Sequence, residues 1–125
     1  MKNASERIAD WLVEQGVEQV FIVTGGGSMF LNHALASHPG LHCTFMHHEQ
    51  ACAMAAEGYT RISGKPAVVN VTTGPGGINA LNGVFGAYTD SIPMIVLSGQ
   101  VKRETALAHT PVEGLRQLGD QEAPI

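Results

Sequence analysis

The stretch "AVVNVTTGPGGINALNGVFGAYTD" fills residues 67–90. Residues 67–73 are mostly apolar or β-branched and carry no charge. Such a run reads as a strand covered on both faces. "GPGG" (74–77) breaks it, because glycine and proline punctuate regular structure. Residues 78–90, "INALNGVFGAYTD", return to apolar side chains at helical spacing. Strand, short glycine turn, helix: this is the building block of a parallel sheet with crossover helices.

The same order recurs on the N-terminal side. "QVFIVT" (19–24) is a strand, "GGG" (25–27) breaks it, and "SMFLNHALAS" (28–37) reads as a helix ended by "HPG". "LHCTFMH" (41–47) is a second strand, followed by the helix "EQACAMAAEGYTRIS" (49–63). That helix is closed by Gly64 and Pro66 and supported by Glu57 and Arg61 four residues apart. A first helix over 4–15 places Ile8, Trp11, Leu12 and Gln15 on one side, with Gly16 as its stop. Beyond Pro93, "MIVLSG" (94–99) is a fourth strand. Past Gln100 the pattern weakens, and "VEGLRQLG" has room for one or two helical turns. The alternation predicts an α/β fold, a parallel sheet with helices on both faces, in a single domain over residues 1–125.

Composition narrows the function classes. A hydrophobic fraction of 44% and a charged fraction of 14% are those of a globular protein with much buried surface. The net charge of −4, without a Lys/Arg cluster, argues against a nucleic-acid partner. No apolar run approaches the roughly 20 residues of a membrane span. The opening residues read as an amphipathic helix, not a signal peptide, so the expected location is cytoplasmic. Cys43 and Cys52 form no CxxC pair and fit reduced thiols.

Ligands of parallel sheets gather beyond the carboxyl ends of the strands, where "TGGGS", "HHEQ" and "TTGPGG" stand. Gly25, Gly26 and Gly27 admit two readings: backbone N–H groups cradling an anion, or a tight turn that only glycine permits. "GPGGIN" is a poor dinucleotide fingerprint, with Asn79 where the last glycine belongs and Pro75 lacking a donor. His47 and His48 are adjacent and point to opposite faces of a strand, as do His42 and His47, so no histidine metal site is expected. Glu49 opens a helix whose "ACAMAA" has almost no polar face. Such a helix is expected to be covered nearly all round. A carboxyl there is poorly hydrated, and burial favours its neutral, hydrogen-bond-donating form, which suits acid–base work. The helices over 49–63 and 78–90 are too apolar to face water, so self-association as a symmetric dimer is expected.

"HHEQACAMAAEGYTR" followed by "VTTGPGGINALNGVFGAYTDSIPMIVLSGQ" resembles the pyrimidine-binding domain of thiamine-diphosphate enzymes, in particular the acetolactate synthase large-subunit group. The resemblance runs from "GVEQVF" through "LRQLGDQE". It implies that Glu49 hydrogen-bonds N1′ of the aminopyrimidine and favours the imino tautomer that takes the C2 proton of the thiazolium. It implies a small 2-oxo acid substrate that loses carbon dioxide before the remaining fragment is protonated or passed to an acceptor. By the same resemblance Gly74, Pro75, Gly76 and Asn79 lie beside the pyrimidine ring. The Gly25–Gly27 loop faces the substrate side, and Gln121 approaches the active site. The family holds the diphosphate and its Mg²⁺ on a separate domain with a Gly-Asp-Gly motif, and no oxygen cluster suited to Mg²⁺ appears here. The expectation is half of a catalytic site, slightly truncated at its C-terminus. A diphosphate-binding domain would be needed in cis or in trans. Alternatives are a non-catalytic binding or dimerisation module, one subunit of a split 2-oxo acid decarboxylase, and an unrelated nucleotide-binding domain, against which Glu49 and the long matching block argue.

Overall fold

A computed structural model describes residues 1–102. The elements are α1 (Ala4–Glu14), β1 (Gln19–Ile22), α2 (Met29–Ser37), β2 (His42–Phe45), α3 (Glu49–Ser63), β3 (Ala67–Val71), α4 (Pro75–Thr89) and β4 (Met94–Ser98), with a single 3₁₀ turn at Gly26–Ser28 leading into α2. The four strands are all parallel, in the order β2-β1-β3-β4. From β1 the chain winds outward to β2, then returns to β3 on the other side of β1. The switch point of the sheet therefore lies between the carboxyl ends of β1 and β3, the crevice where open α/β sheets place their ligands.

Local chemistry sets most boundaries. Asn3 accepts from the Glu6 N–H at 2.9 Å while its own N–H donates to Glu6 Oε2 at 2.8 Å, a reciprocal capping box that starts α1. The His48 ring caps α3, and Gly64 ends it in the left-handed region at φ 71°. Pro75 occupies the first turn of α4, so this helix begins inside the glycine motif, three residues ahead of the expected start at 78. The reason is that proline's fixed φ suits a first turn and its missing N–H would be unpaired there anyway.

Alternate residues of the strands feed two cores. Val20, Ile22 and Val68 pack with Ala9, Leu12 and Leu35 of α1 and α2. Ala67, Val69 and Val71 pack on the other face with Cys52, Ala53, Ala56 and Ala80 of α3 and α4. All five residues of β3 are buried, as a central strand with both faces covered requires. Trp11, expected on the inner side of α1, is 49% exposed, and Ala9 is buried instead. The helix turns its smaller residue inward. The α3–α4 contact is close: a Cβ on Gly83 would stand 2.6 Å from the Cβ of Ala53. At their carboxyl ends Arg61 bridges Glu57 and Asp90, joining the two helices.

The expectation that α3 is covered nearly all round is not met. Met54 is 50% exposed and Ile62 91%, and Glu49 itself is only half-buried. The outer faces of α3 and α4 carry apolar bulk that no described residue covers. No helix among the described residues is long and apolar enough to cross a membrane.

Candidate functional site

The parallel topology brings the residues that follow β1, β2 and β3 to one end of the sheet. After β3 comes Thr72, and around its side chain the separate glycine loops converge. A Cβ on Gly25 would lie 2.4 Å from the Cβ of Thr72, and one on Gly76 would lie 2.9 Å from its Cγ2. Both glycines are there because Thr72 leaves no room for a side chain. Gly74 has a second reason, a φ of 56° at the N-cap of α4, a backbone region costly for residues with a Cβ.

Glu49 opens α3, and Asn79 lies in the second turn of α4. The Asn79 amide donates to Glu49 Oε2 at 3.2 Å. The other oxygen, Oε1, lies 3.6 Å from where a Cβ on Gly76 would stand. Gly76 thus packs its backbone between Thr72 and a carboxyl already oriented by an amide. A half-buried carboxyl held in this way is able to hydrogen-bond a ring nitrogen. One turn along the helix, burial and, secondarily, the Glu49 charge push the Cys52 thiol up to about 11. His48 is occupied as a cap, its Nδ1 accepting from the Gln50 N–H at 3.2 Å.

The Gly25–Gly27 loop packs tightly against Thr72. Its glycines are not at positive φ, and N–H groups of the turn are engaged internally. Gly27 N–H donates to Thr72 Oγ1 at 3.1 Å, and the N–H of the following Ser28 to the Gly25 carbonyl at 3.2 Å. Close approach to Thr72 accounts for Gly25 and Gly27, in keeping with a tight turn that only glycine permits. Gly26 is the open member, since a Cβ added to it would meet no described atom within 4 Å. It lines an open cleft of about 750 Å³ together with Gly27, Met29, Phe30, Thr72 and Gln100. Met29 and Phe30 are 57% and 72% exposed. Glu49 and Asn79 belong to the helix layer on the other face of the sheet from α2.

Sequence reasoning missed three contributors. Thr72 is the hub just described. Gly99 closes the floor, since a Cβ there would stand 2.4 Å from the carbonyl carbon of Gly27. Gln100 receives the Thr73 hydroxyl at 2.9 Å and the Val101 N–H at 2.8 Å on one side-chain oxygen. Thr72 stood in the marked stretch "TTGPGG" with nothing to single it out, and the glycine at the end of "MIVLSG" reads equally as a strand stop. Gln121 lies outside the described residues. Among those described, no group of three or more His, Cys, Asp or Glu is arranged to hold a metal ion.

A carboxylate oriented by an amide, close-packed glycine loops and a cleft at the switch point of a parallel sheet mark one end of an α/β domain as its candidate ligand site. The family model for the thiamine pyrophosphate enzyme, N-terminal TPP binding domain, matches residues 2–123, and the chain belongs to that family. Among its relatives it is 44% identical over 101 residues to the acetolactate synthase isozyme 3 large subunit of Escherichia coli (strain K12), covering 81% of this chain and 18% of the relative. It is 42% identical over 115 residues to the chloroplastic acetolactate synthase of Arabidopsis thaliana, covering 89% of this chain and 17% of the relative. It is also 42% identical over 99 residues to the acetolactate synthase large subunit of Buchnera aphidicola, covering 79% of this chain and 17% of the relative. The chain spans about a sixth of the length of these relatives.

Proposed function

We propose that this chain is the pyrimidine-binding half of a thiamine-diphosphate-dependent 2-oxo acid decarboxylase or carboligase of acetolactate synthase type. The observation that carries the reading is the Glu49 carboxyl, held by Asn79 at 3.2 Å at the start of α3 beside the Gly76 backbone. The bound cofactor supplies a carbon nucleophile able to add to a 2-oxo acid carbonyl, chemistry that no side chain here provides. Glu49 holds and shares a proton at the pyrimidine nitrogen N1′. Asn79 fixes the carboxyl plane, and Gly74, Pro75 and Gly76 let the ring approach the backbone. Gly25, Gly26 and Gly27, with Met29 and Phe30, form the wall of the cleft on the side from which the 2-oxo acid enters. Gln121 is proposed to reach the same side.

The diphosphate and its Mg²⁺ are assigned to a separate domain, in cis or in trans. The uncovered faces of α3 and α4 support such a contact. Ile78, Phe85 and Tyr88 follow one side of α4, exposed by 57%, 70% and 80%, beside Met54 of α3 at 50%. A stripe of that kind marks an interface, and a homodimer is the proposed assembly.

The test is Glu49→Gln in a protein completed by a diphosphate-binding domain, read by hydrogen–deuterium exchange at C2 of the bound cofactor. The amide preserves size and cannot share a proton with N1′. Loss of positioned acid–base help lowers rates by about 10²–10⁴, and a drop in that range is expected. His48→Ala is expected to change exchange far less, since His48 only caps the helix. An unchanged exchange rate in Glu49→Gln would reduce the carboxylate to a favourable charge at a helix start.

A further inference from the structure

Asn70 occupies a position where the strand pattern calls for an apolar side chain. In register it lies between Ile22 of β1 and Leu97 of β4. It is fully buried. Its amide nitrogen donates to Asn32 Oδ1 at 2.5 Å, while its own Oδ1 has no hydrogen-bond partner among the described residues. Asn32 Oδ1 is also within 3.2 Å of the Ser28 hydroxyl, which lies 3.3 Å from the Gly25 carbonyl. Ser28 is itself buried. A line of polar contacts therefore runs from the centre of the sheet through the first turns of α2 to the Gly25–Ser28 turn.

An amide in the core with a single direct bond is a poor source of stability, because its desolvation is only partly offset, and a leucine in its place would carry no such cost. What the pair does supply is register. A slide of α2 along β3 by one residue would leave both amides unpaired, whereas two apolar side chains would tolerate it. We propose that Asn70 is a positioning residue: through Asn32 and Ser28 it fixes the Gly25–Ser28 turn and so the wall of the cleft. The assignment of that wall to the 2-oxo acid rests on the function proposed above.

Two measurements test it. In the full chain, amide hydrogen exchange by NMR compares the parent with the double variant Asn32→Leu/Asn70→Leu, which replaces both amides by apolar groups and so leaves none unpaired. The Gly27 and Ser28 amides are expected to exchange at least about tenfold faster, while those of Ala56 and Val69 change less than about twofold. Melting at or above the parent's temperature would accompany this. Equal changes at all four amides, or none, would overturn the proposal, because a purely structural pair acts on global stability alone. In the protein completed by a diphosphate-binding domain, the same variant is expected to raise KM for the 2-oxo acid several-fold and to leave C2 exchange of the bound cofactor intact. A loosened turn with KM unchanged would overturn the link to substrate, whereas failure of C2 exchange to depend on Glu49 would instead sink the function proposed for the chain.

Discussion

Two glycines one helix apart respond to the same substitution with opposite sign. Gly83 in α4 faces α3 so closely that an added Cβ would lie 2.6 Å from the Cβ of Ala53, 3.1 Å from the Gln50 carbonyl oxygen and 3.1 Å from the Met54 nitrogen. Carbon atoms in contact prefer about 3.5–4.0 Å, so Gly83→Ala forces the helices apart by roughly 1 Å. Two of the three neighbours are backbone atoms, which no rotamer change removes. Overpacking of this kind costs about 1–3 kcal/mol, and the better helix propensity of alanine returns about 1 kcal/mol. The net is a loss of up to about 2 kcal/mol. Gly58, in the middle of α3, has no described atom within 4 Å of a Cβ, so Gly58→Ala gains about 0.4–1 kcal/mol. Urea unfolding followed by circular dichroism measures both. The same shift of roughly 1 Å would carry Asn79 away from Glu49, beyond their present 3.2 Å. Gly83→Ala matching or exceeding the stability of Gly58→Ala would refute the close contact between α3 and α4.

Four further outcomes are expected. Cys52, fully buried and with its thiol pushed up to about 11 by burial and by Glu49, resists iodoacetamide in mildly alkaline buffer in the folded chain and labels only on unfolding. Mass spectrometry of labelled peptides reads this, and Cys52 labelling as fast as a free thiol would contradict it. The Lys2 ammonium, bonded to Asp10 at 2.7 Å, is the main influence holding that carboxyl below its ordinary value of 3.8. A depressed folded value means stability present above 3.8 and lost as pH falls through the folded value, so Lys2→Ala should flatten acid unfolding in that range, as melting temperatures against pH would show. The chain alone is expected to bind thiamine diphosphate with Mg²⁺ weakly by calorimetry and to dimerise in sedimentation. Tight binding would place a phosphate site within the glycine loops, and a folded monomer at high concentration would remove the dimer.

Local signals made much of the fold legible. The span of α3 was readable to both ends, Glu49 and Ser63, because a carboxylate starts it and a left-handed glycine follows it. The start of α4 was misplaced because "GPGG" reads as a breaker when glycine and proline are weighed separately from their helix-start geometry. Glu49 stood out through the apolar residues after it, yet the cover inferred for it is not within the described residues. Its partner Asn79 was marked by resemblance and its contact with Glu49 was not, since the pair is separated by 30 positions. Thr72 and Gly99 left no periodic trace. Their importance is the approach of loops distant in sequence, which only the assembled sheet creates.

The small residues between α3 and α4 and the large ones outside them are two aspects of one arrangement. Ala53 and Gly83 are buried where the helices meet, and Met54, Ile78, Phe85 and Tyr88 are left outward. An ordinary surface helix does the reverse, with bulk inside and polar groups outside. Here the inner contact must be thin, because Glu49 and Asn79 meet only if the helix starts are close. Bulk on the inner face would separate them. With volume excluded from the inner face, the apolar area that stabilises these helices has to be buried on the outer one, against something beyond the described residues. The proposed diphosphate-binding domain or a second subunit would fulfil that need, and its contact would bear on the same two helices that carry the carboxylate. A change in the outer stripe, such as Phe85→Asp, should then weaken assembly while leaving the sheet intact. Assembly unaffected by that charge would locate the contact elsewhere and separate the outer face from the work of Glu49.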